Sequence, residues 1–144
     1  MRYFLAFLVF SALALASDEA DILAVIDKTF HAMAVRDGDA LRSTMLPEAR
    51  LYSMRGEEAA SRGLEDFVKQ IVGSKADLIE RFTAKPQVSI RGRLAQVWGE
   101  YEFLRDGKFS HCGVDTVLLF KTSAGWRIAT LSYTVEPTGC PGHY

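Results

Sequence analysis

Most of the residues that announce a particular chemistry are scarce here. The three histidines (His31, His111, His143) and two cysteines show no metal-ligand spacing. Glycine is present, but Gly56 and Gly63 stand alone and no phosphate-cradling loop is formed. No serine sits in a nucleophile-elbow context. Neither sign of charge is in excess: 17 basic against 18 acidic side chains leave a net charge of -1. That excludes a polybasic nucleic-acid binder and any strong overall field for steering acidic ligands. No cofactor is implied. What is present, 144 residues at 49% hydrophobic and 24% charged, makes one folded domain with an ordinary core.

The first sixteen residues read as a leader rather than as part of that core. Met1-Arg2 gives a short positive start, Tyr3 to Ala16 is apolar apart from Ser11, and Ala14-Leu15-Ala16 offers small residues for cleavage. The apolar run is too short to span a membrane. The expectation is a signal peptide over residues 1–16 and an exported chain, periplasmic or extracellular, starting at Ser17 with no membrane attachment. The domain proper then covers 17–136, and 137–144 form a tail.

Ile22, Ile26, Phe30 and Met33 recur at helical spacing, so Asp18 to Val35 predicts an amphipathic helix. Arg36-Asp37-Gly38-Asp39 stops it, with Gly38 as a left-handed cap and Asp39 capping a short second helix that Pro47 ends. Ala49 to Met54 predicts a strand and Arg55 to Arg62 a polar loop. Leu64, Phe67, Val68, Ile71 and Val72 mark a third helix. The period then changes to two: short strands at 79–84 and 87–91, long ones at 94–104 and 109–121 joined by Asp106-Gly107, and a last one at 126–135. Helices first and antiparallel strands later make an α+β fold, three N-terminal helices packed on one face of a curved antiparallel sheet.

Three segments carry a family resemblance: Arg36-Asp37-Gly38-Asp39, Ser110-His111-Cys112-Gly113-Val114-Asp115, and Gly125-Trp126-Arg127-Ile128. With the element order, they resemble the nuclear-transport-factor-2-like superfamily of cystatin-like cone fold. The likeness is to its secreted bacterial branch, named for "putative lumazine binding" or grouped with polyketide-cyclase-like proteins. The resemblance implies a cone with an internal apolar pocket. Members include isomerases, cyclases, dehydratases, binders and dimerisation modules, so the fold leaves function open.

His111, Gly113 and Asp115 alternate and share one strand face. Which face depends on the hairpin. A two-residue turn would pair Glu102 with His111 and Trp98 with Asp115 on a wet outer surface. A three-residue turn would pair Tyr101 with His111 and Val97 with Asp115, among Phe103 and other apolar residues. The second register is preferred because it puts Gly99 opposite Gly113, which fits a pocket floor left open for a ligand. Asp115 and His111 are then candidate acid–base groups, Asp115 raised by desolvation and supplied with a donor or its own proton. Isomerase-like relatives imply an acid on the first strand, where this sequence has Ser53. His31 could reach the pocket from the first helix or pair with Asp27 in solvent. Tyr52, Val97, Tyr101, Phe103 and Tyr133 complete the candidate ligand-binding set.

Three functions follow. The first is an exported binder of a small, largely apolar molecule; the absent first-strand acid favours it. The second is an isomerase, cyclase or dehydratase using Asp115 and His111, and the third a homodimerisation module using the outer sheet face. Export also permits a Cys112–Cys140 disulfide, the tail folding back across the sheet; a free buried Cys112 is the alternative.

Overall fold

The computed structural model describes residues 4–142, with side chains from Asp18 onward. The leader expected over 1–16, and His143, lie outside the described side chains. Helix α1 (Phe4–Val35) buries Ile22, Ile26, Phe30 and Met33, the stripe that its spacing requires. Arg36 ends it in a left-handed conformation, φ 59°, and its guanidinium donates to the carbonyls of Ser74 and Ala76. Asp37, not Asp39, caps α2 (Gly38–Thr44), accepting from the Ala40 N–H at 2.9 Å. Gly38 lies inside that helix, where a Cβ would come within 3.0 Å of Val68 on α3 (Leu64–Val72). It is needed for close helix packing rather than for a cap.

Strand β1 (Met45–Arg55) starts before Pro47. Its pairing with β7 (Gly125–Thr134) jumps between Met45 and Arg50, so the proline sits in a bulge, where its missing N–H disturbs no ladder. The expected loop after β1 is strand β2 (Glu58–Gly63), an edge strand joined to β1 by a tight turn at Gly56-Glu57. Its polar composition hid it, as suits an edge. The remaining strands are β3 (Leu78–Phe82), β4 (Gln87–Arg91), β5 (Leu94–Arg105) and β6 (Lys108–Thr122).

The sheet runs β2-β1-β7-β6-β5-β3, with β4 beside the first half of β5. Because β1 and β7 are parallel, it is mixed rather than wholly antiparallel. Three helices therefore pack on an open, curved mixed sheet. Val97, Val117, Leu119, Ile128 and Leu131 form the sheet's share of the core. Asp18, just past the expected leader, accepts from Lys121 Nζ at 2.5 Å and from the Trp126 indole at 3.1 Å. Among the described residues, no helix is long and apolar enough to cross a membrane.

Candidate functional site

The hairpin between β5 and β6 follows neither anticipated register. Asp106 and Gly107 form a two-residue turn, both with positive φ (52° and 73°), and Arg105 pairs with Lys108. The pairing then shifts: Leu104 faces Phe109, but Phe103 faces His111, leaving Ser110 as an extra residue. That bulge turns His111, Gly113 and Asp115 onto the inner face with Tyr101 and Phe103. The face is the preferred one, but the partners are offset by two: Phe103 lies opposite His111, Tyr101 opposite Gly113 and Gly99 opposite Asp115.

Neither glycine leaves room for a ligand. A Cβ on Gly99 would come within 2.5 Å of the Phe82 ring, and one on Gly113 within 2.2 Å of the Thr134 carbonyl oxygen. Both admit protein instead.

The open space lies further along the inner face, a cavity of about 620 Å³. Ligand pockets commonly fall between about 300 and 1,000 Å³. Phe67, Ile71, Leu78, Phe103, Leu131 and Val135 form its apolar wall. Tyr101, His111 and Tyr133 also border it, and Ser53 stands on the β1 side. Other expected members do not. Asp115 is 0% exposed and lies behind the wall; Val97 is wholly inside the core. His31 is exposed on α1, and Tyr52 is 46% exposed on the opposite sheet face, since Leu51 and Ser53 take the inward positions.

One acid does line the cavity, and it comes from β3. Leu78, Glu80 and Phe82 alternate inward, and Glu80 pairs with Phe103, which in turn faces His111. Sequence reasoning sought the partner acid on β1 and passed over Glu80. The sequence signal was slight: Leu78 and Phe82 flank Glu80 on one set, against Ile79 beside Arg81 on the other.

Half-buried Glu80 and wholly buried Asp115 form a neighbouring pair of acids. Neither Asp115 oxygen has an N–H or O–H partner among the protein's ordinary donors. Tyr101, the expected donor, gives its only proton to the Thr134 carbonyl at 2.6 Å. Glu80 is the neighbouring acid whose charge bears on Asp115, and two adjacent carboxyls can hydrogen-bond only when one of them is protonated. Burial first, then the Glu80 charge, raises Asp115 well above the carboxylate range. Burial also raises Glu80 to about 7, although the bond from Asp115 works against the rise. Both shifts favour the protonated form, so the pair holds a proton well above the ordinary carboxylate range.

His111 stacks on Phe103, ring centroids 4.8 Å apart, and meets Tyr101 edge-on. Partial burial and the neighbouring Arg55 charge lower its pKa, so it is neutral at pH 7. Ser110 Oγ lies 3.1 Å from its Nδ1. Cys112 and Cys140 are disulfide-bonded, with Cα atoms 5.9 Å apart. Glu136 prolongs the β7 register against Cys112 through two backbone hydrogen bonds, and Gly139, at φ 77°, then turns the chain toward Cys140. Among the described residues, no three His, Cys, Asp or Glu side chains gather to hold a metal ion.

The family model described as "Putative lumazine-binding" matches residues 17–134. The chain belongs to this family. A comparison with curated proteins finds no match. Among solved structures, a nuclear-transport-factor-2-like superfamily protein from Salmonella enterica serovar Typhimurium superposes with a TM-score of 0.71 at 15% identity, covering 90% of this chain and 99% of that one. A nuclear-transport-factor-2-like protein with a cystatin-like fold from Novosphingobium aromaticivorans gives 0.73 at 18%, covering 92% and 90%. A protein from Streptomyces avermitilis, described as a "putative dehydratase" of that family, gives 0.68 at 17%, covering 87% and 99%. At such identities the likeness establishes the fold, and this lumazine-binding-family chain has the nuclear-transport-factor-2-like architecture. Family and fold together point to a small-molecule site, used for binding or for catalysis.

Proposed function

We propose that this protein is an acid–base enzyme of the isomerase, cyclase or dehydratase kind. It would bind a small molecule with an apolar body in the cavity and move a proton on it with Glu80. The observation that carries this reading is the half-buried Glu80 carboxyl on the cavity wall, with the wholly buried Asp115, an acid that has no hydrogen-bond donor, as its neighbour. Asp115 cannot touch a ligand from behind the wall, so it acts as a positioning residue; burial raises the Glu80 carboxyl and Asp115 tempers that rise. A base is most useful when its pKa lies close to the working pH. His111, neutral and beside Phe103, is placed to hydrogen-bond a carbonyl or hydroxyl. The "putative dehydratase" description of the Streptomyces relative agrees with such chemistry. We further propose an exported chain beginning at Ser17; mass spectrometry of the mature N-terminus checks this.

The experiment is deuterium wash-in. β-Tetralone, an apolar ketone with acidic α-hydrogens, is incubated with the protein in heavy water and followed by proton NMR. Wild type should accelerate α-exchange, and Glu80→Gln should lose at least about tenfold of that acceleration. Exchange at the buffer rate, with β-tetralone still raising the melting temperature, would refute catalysis on such ketones and favour a plain binder. The dimer reading has its own support in Tyr52, Leu94, Trp98 and Phe120, which are large, apolar and exposed on the outer face. Sedimentation velocity decides it.

A further inference from the structure

The cavity wall is strongly unbalanced in charge. Arg55, Arg62, Lys75 and Arg105 all border it, and Glu80 is the one acid among its described lining residues. The chain as a whole is at -1, so this concentration of cations is local. Among the described residues, none of the four has a carboxylate within ion-pair distance. Elsewhere the fold pairs its charges readily: Arg42 with Glu65, Arg81 with Glu102, Lys121 with Asp18.

Arg62 differs most from a solvated surface cation. Its residue pairs with Leu51, which is buried, so its side chain is directed to the inner face of the β1–β2 hairpin. It is half-buried, and its guanidinium donates to Tyr133 Oη at 3.0 Å and to Gln70 Oε1. Both partners are neutral. They fix the fork in place and leave its charge uncompensated, which is the arrangement that recognises an anion. The exposed Arg55, Lys75 and Arg105 mark the mouth, and the half-buried Glu80 marks the inner end.

We propose that the ligand is an amphipathic organic anion, its carboxylate, sulfonate or phosphate group on Arg62 and its apolar body against Phe67, Leu78 and Phe103. This rests on the proton-transfer reading for its orientation alone: an anionic group is drawn to Arg62 and repelled from Glu80, so the other end of the molecule meets the acid. Uniform neutral ligands would gain nothing from four unpaired cations.

Two dyes with one skeleton test it. Anilinonaphthalene sulfonate carries the anion, and N-phenylnaphthylamine lacks it. Fluorescence titration should show the sulfonate binding at least about tenfold tighter to wild type. Its affinity should fall severalfold between about 50 mM and about 500 mM salt. Arg62→Gln should erase the preference while leaving the neutral dye unchanged, and Arg62→Lys should restore part of it. An unaltered melting curve verifies that each variant is folded. Equal affinities for the two dyes, no binding of either, or an Arg62→Gln variant that still prefers the sulfonate would each overturn the inference. Deuterium wash-in by wild type and Glu80→Gln reads the proton-transfer proposal separately, so either can fail alone.

Discussion

Replacing Glu80 by glutamine should make the protein more stable in mild alkali and leave it unchanged in acid. In the unfolded chain this carboxyl releases its proton near 4.5; in the folded chain burial holds the proton up to about 7. Between those values the folded state binds a proton that the unfolded state has lost, so stability falls as pH rises. The contribution is intact below pH 4.5 and gone above 7. A separation of this size corresponds to a loss on the order of 3 kcal/mol by pH 8. Glutamine keeps the shape and has no proton to release. Asp115 is present in both proteins, and relief of the Glu80 charge on it acts in the same direction, so the difference reads the pair with Glu80 as its cause.

The assay is thermal unfolding of wild type and Glu80→Gln at half-unit steps of pH. The two curves should coincide near pH 4 and diverge to about 10 °C near pH 8, the variant ahead. Carbon-13 labelling of the Glu80 carboxyl should show the matching titration near 7. Parallel curves, or a variant that melts lower at pH 8, would refute the buried pair and the catalytic reading with it.

Asp115→Leu should raise the melting temperature at pH 8, because it removes a buried acid that no ordinary donor satisfies. A lower temperature there would count against that placement. Gly113→Ala should cost about 3 kcal/mol or more in urea unfolding, since the methyl meets the Thr134 carbonyl and backbone cannot step aside cheaply. Reducing the Cys112–Cys140 bond, which spans 28 residues, should cost about 3.5 kcal/mol on the chain-entropy account, read by melting with and without reductant. Asp18→Asn should lower the melting temperature near pH 7 by a few degrees. Its hydrogen bonds from Lys121 and then Trp126 depress the carboxyl, so the penalty should vanish as pH falls below the ordinary carboxylate range.

The helices were legible because each buries a stripe that repeats at 3.6 residues, and Ile22, Ile26, Phe30 and Phe67 are where that rule puts them. The inner placement of His111 and Asp115 was legible too, but the route to it was not. Alternation gives parity, and Asp106-Gly107 gives a turn; the Ser110 bulge that reconciles them leaves no mark in composition. Register errors propagate into roles. With the partners offset by two, Gly99 and Gly113 meet Phe82 and Thr134 instead of a ligand, and Asp115 sits behind the wall it was expected to line. Glu80 was missed for a different reason. A five-residue strand flanked by loops carries too few positions to declare which face is inward, and an acid on the inner set looks like a mark of the outer one. Only pairing with β5 settles it, by putting Glu80 beside Phe103 and within reach of Asp115. A buried acid reads as an error of pattern until its partner is found. Here the partner lies 35 positions along the chain, and two groups that each look misplaced alone become, together, a site where a proton is held above the ordinary carboxylate range.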